Sequence, residues 1–320
     1  MRILVVGAGA IGGYFGGRLL QAHRDVTFLV RRRRAAELAE AGLIVKSPFG
    51  DIHIRRPPTV LAENLVQKFD LILLSSKAYD LAGAMDSLAP AVGPETMVLP
   101  LLNGMRHLDL LDQRFGRLHI LGGQCVIAAT LDAQGTVVHL NDIHSLTFGE
   151  RDQAISKRIG WLANTLNGVG FDSRLSEDIV REMWEKWVFL ATLAGVTCLM
   201  RASIGDIMAA QGGHDLICSL LDECCTIAKR AGHTPQLAFL AQARATLTAR
   251  DSSMTASMLR DIEANRPVEA DHILGDLLQR SEPAGADRNQ LSPLAAAFAH
   301  LKAYEARRLR TLTAPPEASE

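Results

Sequence analysis

The chain has 320 residues, 48% of them apolar and 22% charged, enough for one large or two ordinary domains with a substantial core. A formal charge of −1 gives no broad field to hold nucleic acid or an anionic membrane, so a small molecule is the better expected partner. Five cysteines, an odd number with neither C-x-x-C nor Cys/His ligand spacing, argue against a disulfide framework or a metal site and for reduced thiols in a cytoplasmic chain.

In chain order, residues 3–6, 26–30, 71–75 and 97–101 read as buried parallel strands, with helices over 11–22, 35–41 and 80–89 between them. The uncharged run 3–17 could pass for a leader segment, but six of its fifteen residues are glycine, which weakens a helical reading. Further strands are expected at 119–129, 136–139 and 145–149 around a turn at 132–135. From residue 178 onward the pattern is helical, over 178–200, 203–231, 236–248, 253–264, 268–280 and 290–309, with breaks at 232–235 and 281–285 and a polar tail from 313. The fourteen-residue uncharged run 187–200 is too short to span a bilayer. The expected fold class is α/β: a Rossmann-type doubly wound sheet in residues 1–175, followed by an all-helical domain in residues 176–320.

Gly7-Ala8-Gly9-Ala10-Ile11-Gly12 matches G-x-G-x-x-G. The motif alone is weak; following one strand and opening one helix, it becomes specific. Gly7 suits the tight turn, Gly9 the approach of a pyrophosphate and Gly12 close helix–strand packing, while the amides at Ala10 and Ile11 face the phosphates. Where an NAD site usually has an acid after the second strand, this chain has Arg31-Arg32-Arg33-Arg34. Arg31 would grip the 2′-phosphate of NADP, so NADPH is the expected cofactor; Arg33 and Arg34 read as a solvated helix start.

The glycine loop, Leu74-Ser75-Ser76-Lys77-Ala78, Leu102-Asn103-Gly104-Met105, Gly149-Glu150, Trp184-Glu185-Lys186, Ser257-Met258-Leu259-Arg260-Asp261-Ile262 and Glu269 follow one another in an order that resembles the ketopantoate reductase family (2-dehydropantoate 2-reductases). The resemblance runs nearly the whole length. It implies NADPH-dependent reduction of a 2-oxo acid, with Lys186 as general acid, Glu269 beside the substrate, Ser257 on the substrate carboxylate, and Lys77 and Asn103 near the nicotinamide and substrate. Read without it, Lys186 could be a lysine snorkelling at a helix end, Glu269 a carboxylate favoured by a helix dipole, and Ser257 a helix-entry serine.

The sequence departs from the family at two positions. Where the family commonly carries asparagines four and eight residues after the lysine, this chain has Leu190 and Ala194. Two amides that would hold a hydroxylated substrate are gone. Ketopantoate, in pantothenate biosynthesis, leads as substrate, and a less polar 2-oxo acid stands beside it. A β-hydroxyacid dehydrogenase and a catalytically idle NADPH-binding sensor are the alternatives of other classes. A homodimer is compatible with each of these readings.

Overall fold

The computed structural model describes residues 1–281 and 292–313. The expected start of a helix at 290, most of the break at 281–285 and the tail beyond 313 lie outside them. The chain divides into two compact units, Met1–Met183 and a second from Trp184 onward.

The first unit holds two sheets. One is wholly parallel: β1 (Arg2–Val6), β2 (Asp25–Leu29), β5 (Thr59–Val60), β6 (Leu71–Leu74) and β7 (Met97–Pro100) lie in the order β5-β2-β1-β6-β7. Strands β1, β6 and β7 are apolar at nearly every position, as strands covered on both faces must be. The order reverses at β1, with β2 on one side and β6 on the other, which creates the crevice where doubly wound sheets bind ligands. The second sheet runs β10 (Asp172–Leu175), β9 (Val137–Gly149), β3 (Leu43–Lys46), β4 (Ile52–Ile54), with β8 (Gly122–Leu131) antiparallel on β9. Helices α2 (Arg32–Ala41), α3 (Leu81–Leu88), α4 (Arg106–Phe115) and α5 (Lys157–Leu166) complete this unit.

Helix α1 (Ala10–Gln21) is wedged between the two sheets, and its glycines make that possible. A Cβ on Gly16 would lie 2.5 Å from the Phe28 ring and one on Gly12 3.1 Å from Val5, both in the parallel sheet. On the other side a Cβ on Gly13 would come within 2.8 Å of Val137, and one on Gly17 within 3.3 Å of Leu43. Tyr14, Phe15 and Leu19 are buried in the same helix, so it is enclosed all round rather than amphipathic.

Four short strands, β3, β4, β5 and β10, and the helices α4 and α5 were not expected from the sequence pattern. Strand β9 is continuous where two pieces were expected. Its segment at 140–143, Leu-Asn-Asp-Ile, bulges opposite Ala128, whose amide donates to Asn141 Oδ1 at 3.0 Å.

The second unit is helical among its described residues: α6 (Ile179–Met200, which begins in the first unit), α7 (Ile204–Ala209), α8 (Gly213–Arg230), α9 (Leu237–Leu247), α10 (Ser257–Glu263), α11 (Asp276–Ser281) and α12 (Pro293–Thr313). The helix expected over 203–231 is two helices. Gly212 takes φ +81°, and a Cβ on Gly213 would sit 1.7 Å from the Ile207 carbonyl oxygen, so the chain turns there. No described helix is long and apolar enough to cross a membrane.

Glu150 fastens the end of β9 to the start of α5. Its carboxylate accepts from Arg158 Nε at 2.7 Å, Arg158 Nη2 at 2.6 Å and Ser156 Oγ at 2.5 Å, and is only 7% exposed. Burial pushes its pKa up, but the Arg158 and Ser156 bonds outweigh that and hold it below the ordinary value. A group with a depressed folded pKa stabilises the fold above its unfolded pKa and loses that contribution as pH falls through the folded one. Glu150→Gln should therefore cost roughly 1.5–3 kcal/mol at neutral pH. Thermal melts should show the gap from the wild type closing as the medium is made acidic.

Candidate active site

Four loops leave the carboxyl ends of β1, β2, β6 and β7, adjacent strands of the parallel sheet, and each carries residues expected at a nucleotide site. The first is the glycine loop. Gly7 takes φ +91° and its amide donates to the Leu29 carbonyl at 2.9 Å, tying the turn to β2. Gly12 is demanded by packing, because a Cβ there would lie 2.0 Å from the Gly7 carbonyl oxygen and 2.3 Å from Ser75 Oγ.

Gly9 is different. Its φ of −82° suits any residue, and a Cβ there would meet nothing within 4 Å. The protein's own packing does not ask for glycine at this position, whereas a ligand pressed against the backbone would. Gly9 is also the N-cap of α1, without a side-chain cap and with no acid in the first turn. The amides of Ala10, Ile11 and Gly12 thus begin a helix whose positive end has no carboxylate of its own. A pyrophosphate fits that cradle.

After β2, Arg31 stands as the N-cap of α2, its side chain 79% exposed, with Nη2 2.7 Å from Asp80 Oδ1. The hydrogen bond and charge of Asp80 raise the pKa of the guanidinium. Arg33 is solvated as expected; Arg34 is not. It turns inward, donating from Nε to the Ala8 carbonyl, from Nη2 to the Gly135 carbonyl and from Nη1 to Glu37, each at 3.0 Å. This arginine braces the glycine loop against the β8–β9 turn, because a half-buried guanidinium must satisfy the donors it turns away from water.

Lys77 follows β6 and is exposed, and Asn103 follows β7 and is half-buried. Beside Lys77, the Ser76 hydroxyl is buried without a hydrogen-bond partner, a polar atom at this edge that the sequence pattern did not single out.

In the helical unit, Lys186 is half-buried well inside α6, not at a helix end as its bland reading required. Leu190 and Ala194 follow one and two turns on along the same face, the first half-buried and the second 4% exposed. Glu269, half-buried, lies just before the helical turn rather than within it, and its carbonyl accepts from the amides of His272 and Ile273. The turn it opens is a π-helical segment, Asp271–Gly275, running into α11.

Trp187, next to Lys186, donates from its indole nitrogen to the Ile273 carbonyl at 2.9 Å and pins that turn to α6. Ser257 is exposed at the first position of α10, and the preceding amide, Ala256, donates to Thr197 Oγ1 of α6 at 3.3 Å. Lys186, Glu269 and Ser257 therefore sit on three segments anchored to one helix. Among the described residues, no group of three His, Cys, Asp or Glu side chains could hold a metal ion.

The model of the family described as "Ketopantoate reductase PanE/ApbA" matches residues 3–153, and that of its C-terminal domain matches residues 178–302. The chain belongs to the ketopantoate reductase family. It is an oxidoreductase of the kind that interconverts C=O and CH–OH. It is similar to an uncharacterized oxidoreductase, YkpB, of Bacillus subtilis (strain 168), 34% identical over 306 residues, covering 96% of this chain and 99% of that one. The crystal structure of 2-dehydropantoate 2-reductase from Geobacter metallireducens GS-15 superposes with a TM-score of 0.84 at 27% identity, covering 95% of this chain and 99% of that one. A D-mandelate dehydrogenase in ternary complex with NADH and anilino(oxo)acetate shares the fold at 21% identity and a TM-score of 0.84, with 97% and 100% covered.

The contrast between two glycines of this ketopantoate reductase family loop gives a test. Gly9→Ala should lose at most about 1 kcal/mol of stability, from the poorer N-cap, yet bind nicotinamide dinucleotide about tenfold more weakly or worse. Gly12→Ala should lose about 1–3 kcal/mol of stability by overpacking. Melting curves and cofactor titrations on both variants separate the two roles. Equal loss of stability in both would remove the case for a ligand at Gly9.

Proposed function

We propose that this chain uses NADPH to reduce the ketone of a 2-oxo acid to a 2-hydroxy acid. In this reading residues 1–175 bind the nucleotide and residues 176–320 carry the acid–base groups. The observation that carries it is Lys186 inside the apolar helix α6, with the Glu269 turn fastened to that helix through Trp187. The cofactor supplies a hydride when bound. As the carbonyl carbon is reduced, negative charge grows on its oxygen; Lys186 stabilises that charge and delivers the proton from Nζ. Ser257 would donate to the substrate carboxylate, and Glu269 would accept from a polar group of the substrate or from Lys186. Asn103 and Lys77 supply donors at the sheet edge, and the Gly7–Gly12 backbone with Arg31 holds the phosphates. The absence of an acid directly after β2 supports NADPH over NADH.

Ketopantoate is the first substrate to try, which would place the chain in pantothenate biosynthesis and in the cytoplasm. A second reading has a specific observation behind it. Leu190 and Ala194 offer no hydrogen bond to a hydroxylated substrate on the turns after Lys186, which favours a less polar 2-oxo acid.

Lys186→Ala should lower kcat by roughly 10²–10⁴-fold while leaving NADPH binding nearly intact. Lys186→Arg should rescue little, since guanidinium keeps the charge but does not release a proton near neutral pH. In the wild type, reduction should fall as pH rises through the lysine's pKa, because a general acid must be protonated. Retention of more than about a tenth of kcat by the alanine variant would place the proton source elsewhere.

NADPH oxidation across ketopantoate and unhydroxylated 2-oxo acids decides between the substrates. On the second reading, Leu190→Asn with Ala194→Asn should raise kcat/KM for ketopantoate relative to the unhydroxylated acids. A wild type that already prefers ketopantoate by a wide margin would rule that reading out.

A further inference from the structure

The arginine run after β2 is not a free patch of positive charge. Arg31 pairs with Asp80 at 2.7 Å, Arg32 with Glu63, Arg33 with Glu37 at 3.6 Å and Arg34 with the same Glu37 at 3.0 Å. Of these, only the Arg31 pair joins the loop after β2 to the loop after β6, two of the loops at the carboxyl edge of the sheet. Any group that takes hold of Arg31 must deal with Asp80 first.

Resting on the reading of this edge as a nucleotide site, we propose that Asp80 sets how strongly the chain distinguishes phosphorylated from unphosphorylated nicotinamide dinucleotides, by occupying Arg31 until a 2′-phosphate displaces it.

Three features make the exchange feasible. The pair is solvent-exposed, at 79% for Arg31 and 38% for Asp80, and exposed pairs are weak. A phosphate brings more charge and more acceptor oxygens than one carboxylate, so it outcompetes Asp80 for a guanidinium. The displaced carboxylate is left at the head of α3, where Asp80 is the N-cap and makes no side-chain capping bond, so the positive end of that helix offers it a second position.

The exchange has a cost that an unphosphorylated cofactor avoids. The carboxylate stays close to the incoming phosphate and repels it. With NADH nothing displaces Asp80, and Arg31 keeps its partner. Asp80 therefore narrows a preference that Arg31 alone would make wide, and the narrowing should shrink as salt screens the repulsion.

The test is calorimetric titration of the whole chain with NADPH and with NADH, for the wild type, Asp80→Asn, Asp80→Ser and Arg31→Ala, at low and high salt. Asp80→Asn should bind NADPH about 3–10-fold more tightly and NADH within about twofold of the wild type, most visibly at low salt. Asp80→Ser, which keeps a helix-capping side chain without the charge, should do the same if the asparagine variant folds poorly. An unchanged ratio of the two affinities, or weaker NADPH binding in the Asp80 variants, overturns the proposal; the latter would make Asp80 a support that positions Arg31. Arg31→Ala tests the underlying reading separately, since it should weaken NADPH alone. If it leaves the NADPH-to-NADH ratio unaltered, the 2′-phosphate lies elsewhere and both statements fall.

Discussion

The first unit depends on one close approach, that of α1 to the two sheets on either side of it. Gly12 and Gly16 let the helix lie against Val5 and Phe28, and Gly13 and Gly17 let it lie against Val137 and Leu43. Methyl groups at these positions would push the sheets apart. The same geometry fixes the start of the helix at the carboxyl end of β1, beside the reversal in strand order. Arg34 adds a brace by holding the Ala8 carbonyl and the Gly135 carbonyl together. The amino end of α1 is therefore held by packing on both sides and by this brace.

In the helical unit, α6 carries no charged side chain after Lys186. Trp187 and Val188 next to it are buried and Leu190 is half-buried, so Lys186 is the cationic group of this stretch of α6. The indole of Trp187 spends its one donor on the Ile273 carbonyl, which holds the π-helical turn against α6. The Ile273 carbonyl lies within that turn and accepts this bond from a side chain. On the proposed reading, chemistry at Lys186 and packing at Trp187 fall on two consecutive residues.

What was legible in the sequence follows from how local each signal is. Strands β1, β2, β6 and β7 were readable because buried parallel strands are continuous apolar runs. The glycine loop was readable because strand, turn and helix are consecutive. Strands β3, β4, β5 and β10 are two to four residues long, and β10 (Asp-Ser-Arg-Leu) is polar at all but its last position, so no periodicity marks them. The bulge in β9, with Asn141 and Asp142 at its centre, reads in the sequence as a gap between two strands. Helix α4 did carry a readable signal, with Leu108 and Leu111 on its buried face, and was passed over. Lys186, Glu269 and Ser257 are proposed through resemblance to a family, since their local settings are ordinary. The partners of the arginines had no local signal at all: Asp80 lies 49 residues from Arg31, and Gly135 lies 101 from Arg34. Charge type was legible, while charge pairing needed the fold.

On the proposed reading, the open amino end of α1, held between two sheets, is where the nicotinamide cofactor binds. Amide hydrogen exchange measured with and without saturating NADPH addresses this directly. The account predicts slowed exchange at Ala10, Ile11 and Gly12 and in the loop that carries Arg31. The β3–β4 hairpin in the other sheet should be unchanged. Saturable NADPH binding with no change in exchange at the glycine loop would contradict it.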